Sequence, residues 1–364
     1  MSVAIVAARR TPVGTAGHAL AVLTAADLAA AVLPVVLADA DLASTELGDV
    51  VLGNCTGPGG DLARYAALQA GLGEGVPGLT VDRQCGSGLA AVAVGAALVD
   101  SGVGPVVLAG GVESASTSPR PGRAAFSPPQ LGDPEMGAAA DHVARLHAVS
   151  RERQDAYALR SHTRAVETAE RGGFDAELVP VGGLTRDERP RPGLTIERLA
   201  RMRPMFGADG TATAGNSCGV NDGAAAVALL ADSDRERRGL AGLRILSSAT
   251  AGVSPTTPGL GLVPAVRIAL DRAGVRLDDL TAIELNEAFA GQVLACCDLL
   301  ALDPERVCVE GGAIALGHPW GASGAVLLVR LFSQLVRTGR VGELGLAAIA
   351  VGGGQGVAMV VESC

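Results

Sequence analysis

Cys85 and His318 are the residues whose types and settings could together do nucleophilic chemistry. Cys85 stands in Val81-Asp-Arg-Gln-Cys-Gly-Ser-Gly-Leu-Ala-Ala-Val-Ala-Val, where a short β-like run breaks at glycine and reopens as an apolar helix. A cysteine at a helix N-terminus meets unpaired backbone N–H groups and the positive end of the dipole, which favour thiolate over thiol. Gly86 and Gly88 let another molecule approach the sulfur closely. His318 lies on a second Gly-rich elbow, Gly311-Gly-Ala-Ile-Ala-Leu-Gly-His-Pro-Trp-Gly-Ala-Ser-Gly-Ala. A thiol and an imidazole on matched elbows predict a nucleophile with its base.

The elements that must position them repeat. Around Cys85 the chain reads strand, Gly turn, helix to about Ser101, then the buried strand Pro105-Val-Val-Leu-Ala-Gly-Gly. Around His318 it reads Gly turn, helix to about Thr338, then Leu344-Gly-Leu-Ala-Ala-Ile-Ala-Val-Gly-Gly-Gly. This internal duplication predicts two α/β halves, residues 1–113 plus 207–240 and residues 241–364, whose elbows face one cleft. Residues 114–206 differ: they hold 14 Arg against 12 Asp plus Glu, a balance of +2 against −11 for the rest (−9 minus +2). That asymmetry marks an inserted subdomain with a Pro-rich loop (Ser118 to Pro134), a helix from about Glu135 through Arg171 broken near Ser150, and a polar arm to Phe206. Its arginines could hold the phosphates of a nucleotide-bearing thiol such as coenzyme A.

Composition removes other classes. The formal charge of −9 disfavours nucleic acid as a partner, and 2 % aromatic residues leave no platform for stacked bases. No lysine occurs anywhere, which removes Schiff-base catalysis and a Walker-type phosphate loop. The seven cysteines form an odd set without a CxxC pair, so we expect neither a disulfide framework nor a metal site, and a reducing cytoplasm. The apolar runs are broken before 18 residues, so no membrane span is expected, and the N-terminus reads as a first strand.

Three further segments carry chemistry. Thr213-Ala-Gly-Asn-Ser-Cys-Gly-Val-Asn-Asp-Gly is a tight turn entering a strand, and Ile283-Glu-Leu-Asn-Glu-Ala-Phe-Ala puts Asn286 where its amide could orient a water. Val351-Gly-Gly-Gly-Gln-Gly offers consecutive N–H groups suited to an oxyanion. With Cys-Gly-Ser-Gly-Leu at 85, Asn-Glu-Ala-Phe at 286 and Gly-Gly-Ala-Ile-Ala-Leu-Gly-His-Pro at 311, the whole chain resembles the thiolase family, coenzyme A-dependent enzymes that make or cleave β-ketoacyl-CoA. The resemblance implies a layered α-β-α-β-α fold with an inserted loop subdomain for coenzyme A. It implies that Cys85 takes the acyl group as a thioester and that His318 activates it. Asn286 would hold a water beside His318 in one oxyanion hole, and the backbone N–H groups of Cys85 and Gly352 would form the other. Arg191, Phe206, Ala214, Cys218, Ala288 and Phe289 fall at coenzyme A-contacting positions, with no permanently bound cofactor and acyl-CoA or an acyl-carrier-protein thioester as substrate.

The sequence departs from this family at several places. Ala350 stands where biosynthetic thiolases carry the cysteine that moves the α-proton, and a methyl group cannot be a base. Cys218 replaces a pantetheine-contacting serine with a weaker hydrogen-bonding thiol. Glu135 replaces a common histidine, and the loop between Glu113 and Met136 is about twenty residues shorter than in tetrameric relatives, which implies a homodimer. Trp320 and Pro258 imply a reshaped acyl pocket. Acyl transfer to Cys85 is therefore expected, while non-decarboxylative condensation lacks its base. The competing readings are decarboxylative condensation, acyl transfer to oxygen, nitrogen or a carrier protein, a non-catalytic or partner-dependent subunit, and a Cys-His-Asn peptidase.

Overall fold

The computed structural model describes residues 2–119 and 123–364; Met1 and residues 120–122 of the Pro-rich loop lie outside the described residues. Ten strands, β1 (Val3–Arg10), β2 (Gly14–Thr15), β3 (Leu47–Gly53), β4 (Leu79–Val81), β5 (Val106–Ser114), β6 (Asn221–Ala231), β7 (Leu243–Gly252), β8 (Leu280–Leu285), β9 (Leu344–Val351) and β10 (Gln355–Ser363), form one ordered path, β4-β3-β5-β6-β1-β7-β10-β9-β8, with β2 on β6. The helices are α1 (Ala25–Asp39), α2 (Leu62–Gln69), α3 (Ser87–Asp100), α4 (Met136–Leu146), α5 (Arg151–Glu170), α6 (Ile196–Ala200), α7 (Asp232–Arg238), α8 (Leu262–Ala273), α9 (Ala290–Leu300), α10 (Ala313–Leu316) and α11 (Trp320–Leu331).

The duplication is visible in the ladders. In the first half β3 and β5 run parallel, and β5–β6 and β6–β1 are antiparallel. In the second half β8 and β9 run parallel, and β9–β10 and β10–β7 are antiparallel. The halves join at β1 and β7 through two register pairs, Ala4 with Arg244 and Ile5 with Leu243. Such a short junction lets the halves stack with helices between them.

Layering follows from strands that are apolar on both faces. Along β5, Val106 and Leu108 join the outer core under α1 and α2, whereas Val107 and Ala109 join the middle core with Leu89 of α3 and Leu328 of α11. Along β10, Val357, Met359 and Val361 face that middle core, and Ala358 and Val360 face the outer core beneath α8 and α9. Successive side chains point to opposite faces, so each central strand serves two layers. The sequence of layers is α-β-α-β-α.

Small residues set the spacing of the middle layer. A Cβ on Gly88 would lie 2.7 Å from the Gly321 carbonyl oxygen and 3.0 Å from the Ala325 nitrogen. Helices α3 and α11 therefore cross backbone to backbone, and the segments just before them lie near each other. The inserted segment runs over this end of the molecule. Its long helical pattern breaks at Ser150, whose hydroxyl accepts from the Arg153 N–H at 3.2 Å and caps α5. The N-terminal apolar run is β1, and α9 buries Cys296 and Cys297 in the second outer core.

Candidate active site

Cys85 is presented by a tight turn between β4 and α3. Gly86 N–H donates to the Arg83 carbonyl at 2.9 Å, Ser87 N–H donates to the Gln84 carbonyl at 2.9 Å, and Ser87 Oγ donates to that carbonyl at 2.6 Å. Gln84 carries a left-handed φ of 45°, a conformation that costs a non-glycine residue energy and is held by these bonds. The backbone N–H groups of Gly352 and of Cys85 itself point at the sulfur and favour its thiolate. The helix-terminus expectation of a ready thiolate is nevertheless corrected. Burial is the larger effect, Cys218 adds to it, and the Cys85 thiol is pushed up to about 12. The resting Cys85 side chain is a thiol.

His318 is 2 % exposed, and burial pushes its imidazole down to about 4. Its backbone N–H donates to Asn221 Oδ1 at 2.9 Å, and Asn221 Nδ2 donates to the Gly14 carbonyl at 2.9 Å. Nδ1 lies 2.6 Å from Ser323 Oγ, whose own proton goes to the Pro319 carbonyl at 3.0 Å. The hydroxyl therefore accepts from Nδ1–H, and Nε2 keeps its lone pair. The loop before His318 is tied to the inserted subdomain. Glu287 accepts from Tyr157 Oη at 2.9 Å, Ser161 Oγ at 2.6 Å and Ile314 N–H at 3.2 Å. Ser323, Asn221 and Glu287 were not singled out from the sequence. Ser323 carries the one legible signal, a hydroxyl five residues after the histidine in an otherwise apolar helix start.

Cys85 and His318 line one cavity of about 750 Å³ together with Ala350 and Gly352. Arg191, Phe206, Ala214, Cys218, Ala288 and Phe289 line it as well. They are brought together by backbone pairing of two distant segments: Cys218 N–H donates to the Ala288 carbonyl at 2.9 Å, and Ala290 N–H donates to the Asn216 carbonyl at 2.9 Å. Phe206 meets Phe289 edge to face, ring centroids 5.9 Å apart. Trp320, Pro258 and Glu135 are also on the wall. Glu135 caps α4 by accepting from the Met136 N–H. Asn286 is different. It follows β8 at 2 % exposure, its N–H donates to the Ala348 carbonyl at 2.9 Å, and it is not among the residues that line the cavity.

The family model described as "Thiolase, N-terminal domain" matches residues 3–233, and that described as "Thiolase, C-terminal domain" matches residues 240–363. The chain belongs to the thiolase family. An acetyl-CoA acetyltransferase of Escherichia coli (strain K12) is 42 % identical over 388 residues, covering 98 % of this thiolase and 98 % of the relative. An acetyl-CoA acetyltransferase of Pseudomonas aeruginosa is 42 % identical over 387 residues, again covering 98 % of each. The crystal structure of the Bacillus anthracis acetyl-CoA acetyltransferase matches this thiolase with a TM-score of 0.94 at 37 % identity, covering 100 % of this chain and 99 % of that one. The first of these alignments spans 388 positions against 364 residues here, so at least 24 of them (388 minus 364) face a gap in this chain.

Proposed function

We propose that this thiolase is an acyl-CoA acyltransferase that carries the acyl group as a thioester on Cys85. The observation that carries the reading is that the Cys85 thiol and the His318 imidazole, with Nε2 free, line the same cavity. In the first half-reaction Nε2 takes the thiol proton as sulfur attacks the thioester carbonyl. The N–H groups of Cys85 and Gly352, already aimed at the sulfur, are suited to the oxyanion that forms beside it. The tetrahedral intermediate then expels coenzyme A thiolate, which recovers the proton from the imidazolium. Arg191, Phe206, Ala214, Cys218, Ala288 and Phe289 would hold the coenzyme A portion. Asn286 would act through a water beside His318.

The proposal for the second half-reaction turns on Ala350, which lines the same cavity and carries no proton acceptor. A decarboxylating donor generates its carbanion without a base, so decarboxylative condensation, or transfer to an oxygen, nitrogen or carrier-protein acceptor, fits this wall better than ordinary condensation. We extend the proposal to a cytoplasmic homodimer, in keeping with seven free cysteines and the shortened loop. Intact-protein mass spectrometry after addition of acetyl-CoA and longer acyl-CoAs tests the reading. A mass increase of one acyl group, lost in Cys85→Ala, is expected; no adduct from any acyl-CoA overturns it.

A further inference from the structure

Arg189 lines the same cavity, two residues from Arg191, and the proposed half-reaction gives it no part. Its Nη2 reaches two carbonyl oxygens, those of Ser217 and Ile314, both at the long distance of 3.3 Å. Its Nε is buried with no partner, and its Nη1 lies against Gly219 on the cavity wall, where an added Cβ would come within 2.3 Å. Its electrostatic neighbours are the Cys218 thiol, which burial pushes up to about 12 and so keeps protonated, and the Arg191 guanidinium. The other cavity charges are engaged elsewhere: Arg123 pairs with Asp133 at 2.8 Å, and Glu135 caps α4.

The surroundings repeat the excess of donors. His162 Nδ1 accepts from the Arg191 N–H at 3.3 Å, so its proton sits on Nε2, and that atom is buried without a partner. Burial, then Arg191 and Arg189, push this imidazole down to about 3, so it is neutral. Two guanidinium groups and an unmatched N–H thus stand together without an acceptor strong enough for them. A half-buried cation without a counter-charge loses part of its solvation, and a bound anion offsets the loss. The position is also informative. Cys85, Cys218 and Arg189 line one cavity, so a chain carried on Cys85 shares its space with the Arg189 guanidinium.

We propose that Arg189 receives a carboxylate at the far end of the acyl chain, so that the substrate class is a dicarboxylic acid monothioester. This rests on acylation of Cys85. A guanidinium whose Nε has no partner and whose Nη2 makes only long bonds to carbonyls has donor capacity left for a carboxylate. The phosphates of coenzyme A offer the same anion chemistry, and the experiment separates the two sources.

Rates of Cys85 acylation, read by quenched intact-mass spectrometry, are compared for malonyl, succinyl and glutaryl thioesters against propionyl, butyryl and valeryl thioesters of equal chain length. Each is supplied on coenzyme A and on pantetheine, which has no phosphate. In the wild type at least one dicarboxylic thioester is expected to outpace its methyl-ended counterpart on both carriers. Arg189→Met is expected to lower that ratio about 10- to 100-fold, the worth of a charge-assisted hydrogen bond in a protein interior. A wild type that prefers every methyl-ended chain overturns the proposal whether or not the variant folds. A ratio unchanged by Arg189→Met overturns it too, and a loss confined to the coenzyme A series assigns Arg189 to a phosphate instead. Absence of acylation by any thioester defeats the acyl-enzyme reading itself and this inference with it.

Discussion

Nδ1 of His318 lies 2.6 Å from the hydroxyl of Ser323, across the first turn of α11, and that hydroxyl is already committed as a donor to the Pro319 carbonyl. The tautomer of the base is therefore set by a side chain that need not touch substrate. Ser323→Ala should leave Nδ1–H without an acceptor and let the opposite tautomer compete. An unsatisfied buried donor costs about 1–3 kcal/mol, so Cys85 acylation should slow about 10- to 100-fold while substrate affinity changes little. Stopped-flow acylation with a saturation curve separates the two, and a change in affinity alone would refute the tautomer argument.

The pH dependence follows from burial. His318 acts as a base only when neutral, and its imidazole is held at about 4 instead of 6.5, so activity is lost as pH falls through the lower value. Acylation rates should be flat between about pH 6 and 8, with the acid limb well below the ordinary histidine range. A limb centred near 6.5 in single-turnover rates would show a hydrated, exposed His318.

Ala350 shares the cavity wall with Cys85. Ala350→Cys restores a thiol there, and a positioned base is worth about 10²- to 10⁴-fold. The variant should gain acetoacetyl-CoA formation from acetyl-CoA by that order, followed at the enolate absorbance. A wild type that already condenses acetyl-CoA as fast as the variant would remove Ala350 from the argument.

The backbone crossing of α3 and α11 is intolerant of a methyl group. Gly88→Ala places a Cβ 2.7 Å from the Gly321 carbonyl oxygen and 3.0 Å from the Ala325 nitrogen, and both neighbours belong to main chain that cannot rotate away. Overpacking of this kind costs about 1–3 kcal/mol, which a denaturant midpoint will report. Unchanged stability would mean that the layers are more loosely spaced than described.

Glu284, fully buried on β8, accepts from Gln334 Nε2 at 2.7 Å, and burial raises its carboxyl to about 8. The folded value exceeds the unfolded one, so its stabilising effect is complete below about 4.5 and is lost as pH rises toward 8. Glu284→Gln should gain on the wild type across that window by about 1.4 kcal/mol per pH unit. Paired melting curves at pH 5 and 8 check this, and a constant difference between the two proteins would place Glu284 in contact with water.

The strand, Gly turn and helix around Cys85, the matched elbow at His318, the duplicated halves and the break at Ser150 were all legible in the residues. Each rests on contacts within a few positions of the chain: glycines that allow a turn, apolar runs that serve two layers, and a serine that caps a helix. The family motifs carried the rest of the cavity's membership, including Cys218 and Phe289. Tertiary structure decided what those groups are chemically. Asn221 orients His318 from 97 positions away, and Glu287 ties the histidine loop to α5. Burial reversed the expected thiolate, because the desolvation of a sulfur is summed over every segment packed around it and outweighs a local dipole. The sequence by itself determined that this chain has a thiol and an imidazole on paired elbows. Only the packed molecule decided that the thiol is held protonated, that the imidazole is neutral and held by Ser323, and that Arg189 stands beside Arg191, because desolvation and pairing are properties of neighbours distant along the chain.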